Sequence, residues 1–105
     1  MKTSVVISTH ATRFSALAFQ EDWARNIAQI AALGYDGVEL AIRDPNLLDQ
    51  GTVARVVAEH RLEVSAIGTG QAYVEDGLSL TAPSADTRRR AIQRLKDHIA
   101  FAVPF

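Results

Sequence analysis

Cysteine is absent from this chain of 105 residues. That excludes disulfides, thiolate nucleophiles and thiolate metal sites, and it fits a cytoplasmic setting. An excess of charge of either sign is also lacking: 11 Lys and Arg stand against 12 Asp and Glu, a formal net charge of -1. No basic field draws such a chain to nucleic acid or to an anionic membrane surface. Long apolar runs are missing too. No segment approaches the roughly 18 residues that a membrane span requires, and Val5-Val6-Ile7 is too short for the core of a secretory signal. What remains, 48% hydrophobic and 22% charged residues, is the composition of a soluble globular protein with a modest core, and the length sets a single domain over residues 1–105.

The pattern along the chain alternates. Ser4 to Ser8 carries three β-branched residues between polar ones, as a strand covered on both faces does. Trp23, Ile27, Ile30 and Ala31 recur at helical spacing behind the acids Glu21 and Asp22, and Gly34 suits the left-handed residue that closes a helix. Gly37 to Ala41 reads as the second strand. Arg43-Asp44-Pro45-Asn46 is a turn, Leu47 to Arg61 a second helix, and Leu62 to Ile67 a third strand with Val64 and Ile67 facing the core. Residues 71–84 read as a long irregular connection, a length that in compact domains usually serves function. Ser84 or Asp86 then caps a last helix with an apolar stripe of Ala91, Ile92, Leu95, Ile99 and Ala102. Arg88, Arg89, Arg90, Arg94 and Lys96 form a cationic cluster on it, read as a solvated face. Three arginines in its first turns oppose the helix dipole, so an acidic partner is the alternative.

Strand starts near residues 4, 36 and 62 repeat at a βα spacing of about 30 residues, which implies right-handed crossovers and a parallel sheet. A complete (β/α)8 barrel takes about 250 residues. The expected fold is therefore α/β, with three βα units of the TIM-barrel type in a truncated or partial barrel.

Active sites of such folds gather where the strands' C-terminal ends converge. Glu39 sits at that end of the second strand, on the face opposite Val38 and Leu40, and is the candidate acid or base; its structural alternative is an ion pair with a cation such as Arg43. His10 lies just past the first strand, placed to bind substrate or a metal, or simply hydrogen-bonded in a loop. Gly68-Thr69-Gly70-Gln71 offers backbone donors to a hydroxyl or phosphate, or is a turn that geometry demands; the dinucleotide pattern G-x-G-x-x-G fails at Tyr73. Gln71 and Tyr73 are candidates to hydrogen-bond and stack on a sugar. His60 reads as a packing residue, His98 as helix surface and Trp23 as core. An open flavodoxin-like sheet is the weaker alternative, because no glycine-rich loop follows the first strand.

The Gly37-Val38-Glu39-Leu40 strand end, the run Ile67-Gly68-Thr69-Gly70-Gln71-Ala72-Tyr73, the loop Asp76-Gly77-Leu78-Ser79-Leu80-Thr81 and the Arg88-Arg89-Arg90-Ala91-Ile92 helix entry resemble the N-terminal part of the sugar phosphate isomerase/epimerase family. The resemblance implies a xylose-isomerase-like barrel and metal-assisted proton transfer on a ketose or aldose. Glu39 would be catalytic, and His10, Gly68, Thr69, Gln71 and Tyr73 would lie on the substrate side. The family's divalent metal (Mn, Mg or Co) is held by strands of the second barrel half, so no metal ligand is assigned to this chain and no cofactor is expected for it alone. The alternative is a noncatalytic fragment stabilised by self-association: three parallel strands leave open edges, which favours a homo-oligomer.

Overall fold

A strand, a helix and a strand repeat without reversal in the computed structural model, which describes residues 1–13 and 17–105. The order is β1 (Ser4–Ser8), α1 (Trp23–Ala32), β2 (Gly37–Ala41), a 3-10 turn (Pro45–Leu47), α2 (Gln50–Glu59), β3 (Glu63–Gly68), α3 (Gln71–Asp76) and α4 (Ala85–Ala102). The three strands form one parallel sheet in the order β1-β2-β3. The protein is thus α/β with a three-stranded parallel sheet.

Capping explains where the helices begin. Asp22, Asp49 and Ser84 each accept a bond from the backbone N–H three residues on, at Arg25, Thr52 and Thr87. Leu33 ends α1 before Gly34, whose φ of +87° is the left-handed conformation a side chain would oppose.

The alternation of β2 divides the molecule. Val38, Leu40 and the following Ile42 are fully buried and pack with Ile7, with Ile27 and Ile30 of α1, Val53 and Val57 of α2, and Phe101 of α4. With parallel crossovers advancing in one direction, α1 and α2 fall on the same face of the sheet. The other face carries small and polar groups, among them Ser4, Gly37, Glu39, Ala41 and Gly68. At the N-terminal ends of the strands, small side chains meet across this face. Ser4 Oγ and Ser65 Oγ meet at 2.7 Å across β2, and a Cβ on Gly37 would stand 2.6 Å from the Glu63 carbonyl oxygen. Ser65 is the extra residue of a bulge that shifts the β2–β3 register between Val38 and Glu39.

The two outer edges differ. On β1, Ser8 N–H donates to the Phe19 carbonyl at 2.8 Å, so a short bridge occupies the end of that edge. β3 carries no such cover among the described residues, and Ser65 and Ala66 are exposed.

Three expectations need correction. Residues 71–84 are not wholly irregular, because α3 occupies Gln71–Asp76 and closes on Gly77 at φ 66°. Six residues are too few to carry a periodic signal, and side chains from three other segments hold this turn of helix, as described below. The face of α4 is also rotated from the expected stripe: Ala91, His98 and Phe101 are buried, whereas Ile92 and Ile99 are 47% and 69% exposed. His98 is not surface but 4% exposed, its Nδ1 2.7 Å from the Arg94 carbonyl oxygen and its Nε2 2.9 Å from that of Ile42. The ring nitrogens face backbone carbonyls in place of solvent, so the ring's polarity did not keep it in water.

Candidate functional site

Strand register assembles one rim. Ser8, Ala41 and Gly68 lie side by side at the C-terminal ends of β1, β2 and β3, so Glu39, His10 and Gly70 all stand within two residues of the same edge. Over it lies α3, fixed at both ends. Gln71 Nε2 donates to Ser8 Oγ at 2.6 Å, and Glu75 accepts from Thr12 Oγ1 at 2.9 Å and from the Arg13 backbone and guanidinium. Asp76 accepts from Arg43 at 2.6 Å and from Arg94 at 2.9 Å. Arg94 also reaches Asp44 at 3.0 Å and the Arg43 carbonyl at 2.8 Å, with only 15% of its side chain exposed.

Beneath α3 is a cavity of about 280 Å³ walled by Val6, Leu17, Ala41 and Val74, with Glu39, Gly68 and Gln71 among its other lining residues. Glu39 is half-buried, and its Oε1 would be 3.1 Å from a Cβ at Gly68, so the glycine makes room for the carboxylate. Among the described residues Glu39 has no hydrogen-bond or ion-pair partner. Arg43, the cation proposed for it, is committed to Asp76 instead. Gln71 is 6% exposed, and its Oε1 is buried with no partner among the described residues. Two acceptors, one of them anionic, therefore line a largely apolar cavity.

The remaining candidates lie elsewhere on the rim. Thr69 and Tyr73 face a separate hollow formed with Leu78, Ala91 and Leu95, and Tyr73 is 64% exposed. His10 Nδ1 is 2.9 Å from Thr9 Oγ1. Burial, and then the positive Arg43, push its pKa below the usual histidine value against the opposing pull of Asp44, which favours a neutral imidazole. The structure thus brings Glu39, Gly68 and Gln71 to one cavity and leaves Thr69, Tyr73 and His10 outside its lining. Ser8 and Asp76 were not singled out as site residues in the sequence. Arg94 was read with the cationic cluster as part of a solvated face; for this residue the alternative, an acidic partner, holds, because Asp44 and Asp76 both pair with its largely buried side chain.

No family model matches this chain, and no curated protein matches it. Among the described residues no group of three or more His, Asp or Glu side chains has the arrangement to hold a metal ion. The divalent metal of the resemblance finds no ligand set in them. No described helix is long and apolar enough to cross a membrane.

The clamps on α3 depend on two carboxylates whose pKa values are lowered. Bonds from the Arg13 backbone and from Thr12 lower the Glu75 pKa, and the Arg43 bond, opposed by burial and aided by Arg94, lowers that of Asp76. A carboxylate with a depressed folded-state pKa contributes stability that is present above its unfolded pKa and lost as pH falls through the folded value. We expect α3 to loosen below about pH 4, seen as a loss of amide protection at Ala72 to Gly77 before the sheet unfolds. Protection of α3 and the sheet lost together at one pH would count against a separate release.

Proposed function

We propose that the chain is a barrel-type βα unit whose rim cavity takes a sugar or sugar phosphate, with Glu39 transferring a proton between adjacent carbons as in an isomerase or epimerase. The observation that carries this reading is the unpartnered Glu39 carboxylate beside the orphaned Gln71 oxygen in an apolar cavity at the strands' C-terminal end. A strand order without reversal and helices on one face fit a barrel unit and one half of a doubly wound sheet alike, so the barrel reading rests on the resemblance.

A carboxylate in this place can take the proton from the carbon next to a carbonyl. The C–H electron pair then becomes the carbon–carbon double bond while the carbonyl π pair moves onto its oxygen, giving an enediolate; Glu39 returns the proton to the neighbouring carbon and the hydroxyl proton passes from one substrate oxygen to the other, which completes an isomerisation. Gln71 Oε1 accepts from a substrate hydroxyl, and the apolar walls keep water from the enediol. Turnover of common ketoses, measured with and without Mn(II), Mg(II) or Co(II) and compared with Glu39→Gln, tests the reading.

A second reading, a noncatalytic homo-oligomer, is favoured by a different surface. The open edge of β3 and the exposed side of α4 flank a groove of about 460 Å³ lined by Val64, Ala66, Leu95, Ile99 and Ala102. Apolar surface beside an unpaired strand is what association covers. Light scattering should then give a mass above the monomer at micromolar concentration, reduced to the monomer by Ile99→Lys; a folded wild-type monomer counts against it.

A further inference from the structure

Ser8 is fully buried and joins two segments: its Oγ donates to the His10 carbonyl at 2.5 Å and accepts from Gln71 Nε2 at 2.6 Å. The order of donation matters. Because the hydroxyl proton is spent on the carbonyl, the oxygen can only accept from the Gln71 amide, and the amide nitrogen is therefore the end held at Ser8. Gln71 Oε1 is left as the end with no partner. Leaving a buried acceptor unsatisfied is unfavourable because its lost water bond is not replaced, and a hydroxyl or ammonium group brought by a ligand would replace it.

The charge of the cavity points the same way. Among the described residues Glu39 is the one charged side chain lining it, and Arg13, Arg43 and Arg94 are all paired with the carboxylates of α3. The remaining hydroxyl of the lining, Thr12 Oγ1, donates to Glu75. We propose that the cavity selects the uncharged or cationic, donor-bearing end of its ligand and rejects a phosphate, and that Ser8 is a specificity-determining residue that enforces this by fixing the Gln71 amide. This rests on the site proposed above and adds a polarity to it: a phosphorylated substrate would enter with its hydroxyl end first.

The test is binding, not turnover. The full chain is titrated separately with D-fructose and with inorganic phosphate while the backbone amides of Glu39, Gly68 and Gln71 are followed by NMR. Fructose should shift them and phosphate should not. Ser8→Ala and Gln71→Leu should each weaken fructose binding about fivefold to tenfold, with the fold checked by the unchanged dispersion of the β2 amides. In wild type the Gln71 side-chain NH2 should be protected from exchange, and Ser8→Ala should remove that protection. Phosphate shifting the same amides as strongly as fructose, neither probe shifting them, or full fructose affinity in a folded Ser8→Ala overturns the proposal. Fructose binding without any turnover would instead remove the isomerase reading and leave this selectivity standing.

Discussion

Glu39→Gln is expected to lower ketose turnover by about 10²–10⁴-fold while leaving the urea midpoint essentially where it was. The two halves of that expectation come from one fact. Glu39 has no hydrogen-bond or ion-pair partner among the described residues, so an isosteric amide breaks no fold contact. A carboxylate left unpaired at a rim does little for the sheet. What the substitution removes is the basic oxygen that accepts a proton from carbon. If turnover survives in Glu39→Gln, the proton acceptor lies elsewhere and the isomerase reading loses its central residue.

Arg94→Met should behave in the opposite way, lowering stability by about 2–3 kcal/mol with no direct loss of a group that touches substrate. The Arg94 side chain is 15% exposed and serves Asp44, Asp76 and the Arg43 carbonyl, the two carboxylates being 20% and 16% exposed. Methionine keeps much of the stem's packing but leaves Asp44 without this cation and Asp76 with Arg43 alone. The expected size is below that of a fully buried pair because Asp76 retains one arginine. Urea denaturation with the slope held equal between variants gives the number. A change under about 0.5 kcal/mol, the range of an ordinary surface substitution, would mean the network is solvated in practice and α3 is held mainly through Gln71 and Glu75.

The contrast between these residues also shows what was legible in the sequence. β1 and β2 could be read because Val5-Val6-Ile7 and Val38-Glu39-Leu40 state their burial in their own side chains, and α1 because Ile27 and Ile30 recur behind an aspartate cap. α3 could not. Its apolar content is slight, and it is held by Ser8, Thr12, Arg13, Arg43 and Arg94, residues that only the finished chain brings near. The same cause misled the reading of α4. Hydropathy favours Ile92 and Ile99 as the inner face, but Arg94 and His98 find partners at Asp44 and at the Ile42 carbonyl, and those bonds turn the helix. Of the cavity, Glu39 and Gln71 were visible as residue types at the right strand ends. That they face one space, with Ser8 between Gln71 and the His10 backbone, follows from α3, and so was not visible.

The sheet's two margins set how any assembly would end. The β1 margin has one of its donors already taken by the Phe19 carbonyl, whereas the β3 margin is free along the described strand. Copies joining through their freer margins would pair β3 with β3 about a two-fold axis, and each such pair turns two β1 margins outward, each bridged at its C-terminal end by Phe19. That bridge makes the outward margins poorer templates than the pair at the centre, so the asymmetry favours a closed two-fold pair over a running sheet.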